Sequence, residues 1–437
     1  MNFETVQSKI NEEINKLWKD EINFLQTLGR YRSTLGNEQA IQNFLVDYFS
    51  SNLEMEVDQF TPDIKSLAKH PGFSVPEWSY DGRSVVVAKS TSNNKPKGKS
   101  VIFQGHVDVV SPGPLEDWTY DPWSSTISGG KMFGRGLQDM KSGITAMIFA
   151  YKAIRSAGFM PAADFFFQTV IEEECTGNGA LAALERGYSA DAAIIPEPFG
   201  LQATYSQVGV IWLRITVKGA GAHTERASEA VNAIEKSYIM IEALRQYRKY
   251  INEQPKHPDF KDHPHPLNVN IGTIQSGEWP SNVPSKAVLE ARVGFYPGQD
   301  PNIIKKEVKE WILKAAEQDD WLRDCKPEIT FFGFHAEGYS IDDQTELFQK
   351  VDRSHEVITG SPPKRAALTC TTDARFYNLY YNIPALCYGP AGGNMHGIDE
   401  WVDLESVKKA TKVYAHFISN WCGLEPTDRG ESPNYED

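Results

Sequence analysis

DFFFQTVIEEECTGNGA, residues 164–180, carries a short apolar run straight into three consecutive glutamates. A run of this length, apolar on both faces, is the signature of a parallel strand covered by helices. Such a strand delivers the residues that follow it to the carboxyl edge of the sheet, where open α/β folds gather their ligands. Three other stretches repeat the pattern. SVIFQGHVDVV (100–110) runs into His106, DAAIIPEP (191–198) into Glu197, and PALCYGPAGGNMHG (384–397) through a glycine-rich loop into His396. Asp139 adds a fifth residue of the same kind in GRGLQDMKSG (134–143), a glycine-punctuated turn before a helix. Parallel pairing would bring all of them to one edge.

Two imidazoles and three carboxylates at equivalent places form a nitrogen–oxygen ligand set suited to zinc. Five ligands suit two cations about 3.5–4 Å apart that share one bridging carboxylate. The triple glutamate then supplies a ligand and a general base side by side. Asp108, two residues past His106, stands where a carboxylate can accept the free ring N–H of a metal-bound imidazole.

Outward from these stretches, residues 4–29 and 36–52 carry helical periodicity and SVVVAKS (84–90) reads as a strand. SGITAMIFAYKAIRSAG (142–158) reads as a helix ending at Gly158. From Gly209 the texture changes. Strand VIWLRITVKG (210–219), helix 227–251, strands 266–275 and 286–296, helix 300–317 and strand 328–334 give the β-α-β-β-α-β order of a ferredoxin-like unit. After residue 337 the α/β texture returns, with a helix near 343–359, the strand PALCYGP and a last helix at 404–421. The expectation is a discontinuous α/β domain, residues 1–208 and 337–437, with an α+β domain inserted at 209–336. Prolines make 255–266, with His257, His263 and His265, an exposed loop.

A formal charge of −14 argues against nucleic acid and anionic membrane as partners. The N-terminus has no apolar signal region, and no stretch is apolar enough for a membrane span. The five cysteines lack C-x-x-C spacing, which suggests free thiols in a reducing compartment, the cytoplasm. No G-x-S-x-G elbow, H-E-x-x-H helix or P-loop occurs. Cys175 is a poor nucleophile, because the adjacent carboxylates raise a thiol pKa.

FQGHVDVV, GRGLQDMKSG, VIEEECTGNGA, PEP at 196–198, KGAGAHTERASEAVNAI, SNVPSKAVLEARV, TTDARF and GPAGGNMHGIDEWV occur in this order from about residue 100 to 402. With them the chain resembles the family of acetylornithine deacetylase, succinyl-diaminopimelate desuccinylase, aminoacylase and glutamate carboxypeptidase. The resemblance implies a zinc-peptidase-like catalytic domain whose inserted ferredoxin-like domain acts as lid and dimerisation unit. It implies two divalent metals, zinc or else cobalt. His106 and Glu197 would hold one, Glu174 and His396 the other, and Asp139 would bridge them. Alignment on CTGNGA makes Glu173 the base and Glu174 the ligand, leaving Glu172 where many members carry Asp. His223 would reach the scissile carbonyl across a homodimer interface, and Asn282, Arg292 and Arg375 would contact substrate. Closure would hinge near 207–209 and 336–338.

The activity implied is removal of an acyl group from a small N-acyl amino acid, with acetylornithine first. Succinyl-diaminopimelate, dipeptides and an N-formylated heterocyclic amine are the alternative substrates. A catalytically silent binding protein is the reading from another class. One departure bears on substrate: many relatives have Gly-Gly-Thr-Asp where this chain has Cys370-Thr371-Thr372-Asp373. Residues 59–85 are longer and more aromatic than a minimal member needs, fitting either an entrance lining or a surface excursion.

Overall fold

Four parallel strands form the centre of the main sheet. In a computed structural model that describes residues 2–92 and 96–427, the six-stranded order is Glu56–Phe60, Val85–Ser90, Phe165–Val170, Val101–His106, Ala193–Ile195 and Ala385–Cys387. The last four run parallel to one another. The first two add antiparallel at one side. Every residue of Phe165–Val170 and Val101–His106 is buried, which explains their unbroken apolar texture. Helices Phe3–Arg30, Ser142–Ser156 and Leu404–Trp421 pack on one another, and Ser142–Ser156 also packs on Val101–His106. Their buried faces join the strands in one large core.

A second core belongs to the inserted unit. Its sheet runs Val269–Ser276, Lys286–Phe295, Gly209–Lys218, Glu328–Ala336, with every neighbour antiparallel. Helices Ala233–Glu253 and Pro301–Ala316 contribute Met240, Leu244, Val308 and Ile312 to that core, against Ile211, Leu213, Leu289 and Val293 from the strands. This is the ferredoxin-like order. The two chain crossings between the units lie side by side: a Cβ on Gly338 would stand 2.6 Å from the Gly209 nitrogen, and one on Gly209 would stand 2.8 Å from the Ala336 carbonyl oxygen. Glycine is required at both by close backbone approach.

Two expectations shift locally. The helix expected from residue 227 starts at Ala233, because the Asn232 side chain caps the Ile234 N–H at 2.9 Å, while Thr224–Glu229 form a separate tighter turn. The helix expected over 36–52 covers Gln39–Asp47 and widens into a looser turn at Tyr48–Asn52. No helix among the described residues is long and apolar enough to cross a membrane.

Candidate active site

Because the four central strands are parallel, the residues that follow them meet at one edge. His106 closes its strand fully buried. Its Nε2 lies 3.1 Å from Asp139 Oδ1, 3.7 Å from Glu197 Oε1 and 3.9 Å from Glu173 Oε2. His396 Nε2 lies 3.0 Å from Glu174 Oε1 and 3.3 Å from Asp139 Oδ2. Asp139 thus offers one carboxylate oxygen to each imidazole.

Local chemistry fixes each side chain. Asp139 sits in the turn Leu137–Lys141, whose peptide Asp139–Met140 is cis. The buried Glu400 carboxylate organises that turn, accepting from the backbone N–H groups of Gly136, Gln138 and Asp139 at 3.0–3.1 Å and from Arg135 Nη1 at 2.5 Å. Sequence reading passed over Glu400 and Arg135. They lie in GPAGGNMHGIDEWV and GRGLQDMKSG, but no local pattern joins residues 265 positions apart. Glu172 and His396 are non-glycine residues in the left-handed region, at φ +68° and +61°. Strain of that kind collects at functional turns.

Asp108 departs from expectation. Its carboxylate stands 3.7 Å from His106 Nδ1, whereas its own carbonyl oxygen stands at 2.9 Å. The carbonyl is therefore the acceptor of the ring N–H, which leaves the Nε2 lone pair facing the cluster. The carboxylate instead accepts from the N–H groups of Glu173 and Glu174 at 3.3 and 3.1 Å, fastening the turn that presents them.

The cluster is short of hydrogen-bond donors. Among the described residues Glu197 Oε1 and Asp373 Oδ1 are buried with no hydrogen-bond partner. Burial pushes the Glu173 carboxyl well above the usual range, with Glu197 adding to it, and burial and then Asp139 do the same to Glu197. Glu174, then Asp139, raise His396 to about 11. Burial also opposes charge on Asp139, but the imidazoles of His106 and His396 against its two oxygens outweigh it and hold this carboxyl below its ordinary value. Crowded carboxylates and imidazoles with unmet oxygens are a donor set that divalent cations would relieve. His106 with Glu173 and Glu197, and His106 with Asp139 and Glu174, each offer ligand atoms within 4.8 Å of one another.

The other expected site residues separate. His223 is exposed, on a two-residue strand whose register places it opposite exposed Asn282. Among the described residues neither bonds to the cluster. Arg292 reaches from the inserted sheet to the Thr369 carbonyl at 3.2 Å, beside Cys370. Arg375, expected to clamp substrate, is instead turned inward at 1% exposure, donating to the carbonyls of Thr176 and Thr372 and lying against the Phe376 ring. Its donors are engaged within the fold, because Ala374–Tyr380 packs into the catalytic core.

Segment 59–85 is a tie rather than an excursion. Trp78 Nε1 (2.6 Å), Tyr80 OH and Arg83 Nη1 (2.5 Å) all donate to the Glu172 carboxylate. Its other end holds the inserted sheet: Gly333 N donates to the Val75 carbonyl at 2.9 Å, His335 N to Ser74 Oγ at 3.0 Å, and Arg214 pairs with Glu77 at 2.7 Å.

The sequence profile of peptidase family M20/M25/M40 matches residues 102–420. The chain is 28% identical over 381 residues to the N-formyl-4-amino-5-aminomethyl-2-methylpyrimidine deformylase of Halalkalibacterium halodurans, covering 83% of this chain and 88% of that protein. It is 29% identical over 376 residues to the protein of the same name from Bacillus subtilis, covering 80% and 86%. Among solved structures it resembles the dipeptidase Dug1p from Saccharomyces cerevisiae, with TM-score 0.77, 14% identity and 95% and 98% of the two chains covered. It also resembles the Bacillus subtilis YXEP protein, described as a dinuclear metal-binding peptidase, with TM-score 0.58, 14% identity and 93% and 99% covered.

Proposed function

The chain belongs to peptidase family M20/M25/M40, and from that premise we propose that it is a two-metal deformylase of a small N-formylated amine. The observation that carries the reading is Asp139, one oxygen toward His106 and the other toward His396. His106 and Glu197 would hold one cation, His396 and Glu174 the other, with Asp139 between them; zinc suits this nitrogen–oxygen set, and cobalt would substitute. The bound pair would supply Lewis acidity, making water nucleophilic near neutral pH and polarising the amide carbonyl.

This chain's own residues do the rest. Glu173, buried beside the cluster, takes the proton of the attacking water and hands it to the leaving amine nitrogen. Asp108 keeps Glu173 and Glu174 in place from behind and fixes the His106 tautomer through its carbonyl. The choice of a formyl group over the acetylornithine substrate placed first from the motifs rests on the two deformylase relatives.

We take residues 1–208 and 337–437 as the catalytic domain and 209–336 as lid and dimerisation domain. Tyr238, Ile274 and Trp279 are exposed on the inserted unit, and Val269–Ser276 is an outer strand of its sheet among the described residues. Such an edge suits a second copy of the chain. His223 would then serve the partner's site, stabilising the developing oxyanion. Free cysteines suit a cytoplasmic setting.

The test is hydrolysis of matched N-formyl, N-acetyl and N-succinyl amides and dipeptides by zinc- or cobalt-loaded protein. Formamide cleavage is expected to lead. Greater activity on any other class overturns the formyl reading, and no amide cleavage at full metal loading overturns the whole. Mixing inactive Glu173→Gln and His223→Ala chains tests the shared site. Activity returning on mixing supports His223 acting across the interface, and none returning removes it.

A further inference from the structure

Residues 74–83 touch both units of the molecule and end on the carboxylate next to the general base. Buried Ser74 is the crossing point. Its N–H donates to Asn178 Oδ1 at 3.2 Å and its carbonyl accepts from Asn178 Nδ2 at 2.8 Å, which fastens it to the helix Asn178–Glu185 behind the glutamate turn. Its hydroxyl oxygen accepts from the His335 N–H of the inserted sheet. Val75 then forms an antiparallel bridge with Gly333 on the outer strand Glu328–Ala336. Two residues on, Glu77 closes on Arg214 with both oxygens, each at 2.7 Å. Arg214 lies on the next strand of that sheet, and Glu290 on a third strand holds it as well.

The other end of the segment grips one residue. Trp78, Tyr80 and Arg83 donate to the Glu172 carboxylate, and Thr176 adds a fourth donor at 2.7 Å. The Glu172 carbonyl oxygen accepts in turn from the N–H groups of Cys175, Thr176 and Gly177 at 2.6–3.3 Å. Glu172 is therefore the pin of the turn 172–177, held by its side chain and holding the turn through its backbone. Glu173 is one peptide away. With Glu172 at φ +68°, in a narrow well for a residue with a side chain, a shift of the pin swings Glu173.

The two ends differ in exposure. The bonds on Glu172 are buried and charge-assisted, the strong kind. The Glu77–Arg214 pair is open to water, with side chains 41% and 27% exposed, and a pair of that kind contributes little to folding. Its two-point geometry fixes direction instead. Between the ends, the inserted sheet lies directly against the turn: a Cβ on Gly333 would stand 3.3 Å from the Cys175 carbonyl oxygen.

We propose that residues 74–83 are a strap through which the inserted unit positions the general base: the docking of Arg214 on Glu77 sets Glu172, and Glu172 sets Glu173. Glu77, Arg83 and Arg214 are positioning residues, remote from the reacting atoms. This rests on the amide-hydrolase reading above and adds the means by which the inserted unit acts on the base within one chain.

The experiment uses the full chain and two readouts. Hydrogen exchange on the metal-free protein follows the turn amides of Cys175, Thr176 and Gly177, and kinetics on the zinc-loaded enzyme separates kcat from KM. Glu77→Gln and Arg214→Gln each break the outer contact and leave the turn itself unaltered. Lys236→Gln is the control, since it breaks a partly exposed pair with Asp319 inside the inserted unit. Both outer variants are expected to speed turn exchange roughly fivefold or more, with the melting point unchanged. Both are expected to lower kcat roughly fivefold or more, with KM and zinc content unchanged. Turn exchange or kcat left unchanged in either variant, a fall carried by KM, or an equal response to Lys236→Gln overturns the strap. If the wild type cleaves no amide, the hydrolase reading falls, and exchange decides the strap alone. Acceleration that reaches residues 175–177 upholds it, and acceleration confined to residues 74–80 overturns it.

Discussion

Glu172 and Glu173 are neighbours with opposite surroundings. Glu172 looks away from the cluster into Trp78, Tyr80, Arg83 and Thr176, four donors on one carboxylate. Glu173 looks into a group of carboxylates and one imidazole. Both are buried. A third buried carboxylate, Glu21, has neither arrangement: Thr411 donates to one oxygen, the other has no hydrogen-bond partner among the described residues, and burial raises its pKa to about 8. A carboxylate leaves water tolerably in three ways, by pairing, by sharing a cation or by keeping its proton. The protein uses the first behind the turn, is built for the second in front of it, and uses the third in the N-terminal helix.

Each arrangement has a substitution that tests it. The largest effect is expected from Glu173→Gln, a fall in kcat/KM of roughly 10³ with metal content unchanged, since general-base groups contribute ~10²–10⁴. Metal analysis beside kinetics checks it, and loss of metal would recast Glu173 as a ligand. Glu172→Gln should leave metal stoichiometry intact but cost about 3 kcal/mol in denaturant unfolding, because Arg83 keeps only Glu38. Unchanged stability there would erase the contrast between the two residues.

Metal binding is the next step down. Zinc at about 100 times its Kd should stabilise the fold by roughly 2.7 kcal/mol. Asp139→Asn should remove most of that gain while barely moving the metal-free melting point. An equal zinc-induced shift in the variant would show that the bridging position is dispensable.

Glu21 gives a signal of another kind, a slope with pH. Its folded pKa, about 8, lies above the 4.5 of the free group. Between those values the folded state binds more protons than the unfolded one. Stability therefore falls as pH rises from about 4.5 to 8, by at most ~1.4 kcal/mol per pH unit, and levels off above. Melting curves of Glu21→Gln across that window should lose this slope and rise relative to wild type at pH 8.5. A slope that persists in the variant assigns it elsewhere.

The parallel centre of the main sheet and the ferredoxin-like insertion were legible in the chain because each follows from local periodicity. Buried strands are uniformly apolar, helices repeat at 3.6 residues, and the order of elements sets the topology. The cluster was legible for the same reason: a residue that follows a parallel strand can only arrive at the strand's carboxyl edge, so His106, Glu197 and the triple glutamate carried their address in sequence.

What the chain could not announce were partnerships between distant residues. That Glu400 orders the Asp139 turn, that Asp108 serves through its carbonyl, that Arg375 is sealed inside while Arg292 reaches across to the Thr369 carbonyl, and that residues 74–83 tie Glu172 to the inserted sheet all depend on which donors meet which acceptors. Periodicity places a side chain on an element and a face. Whether its charge is then satisfied is a matter of a few ångströms across elements that the linear order never juxtaposes, and only the packed fold decides it.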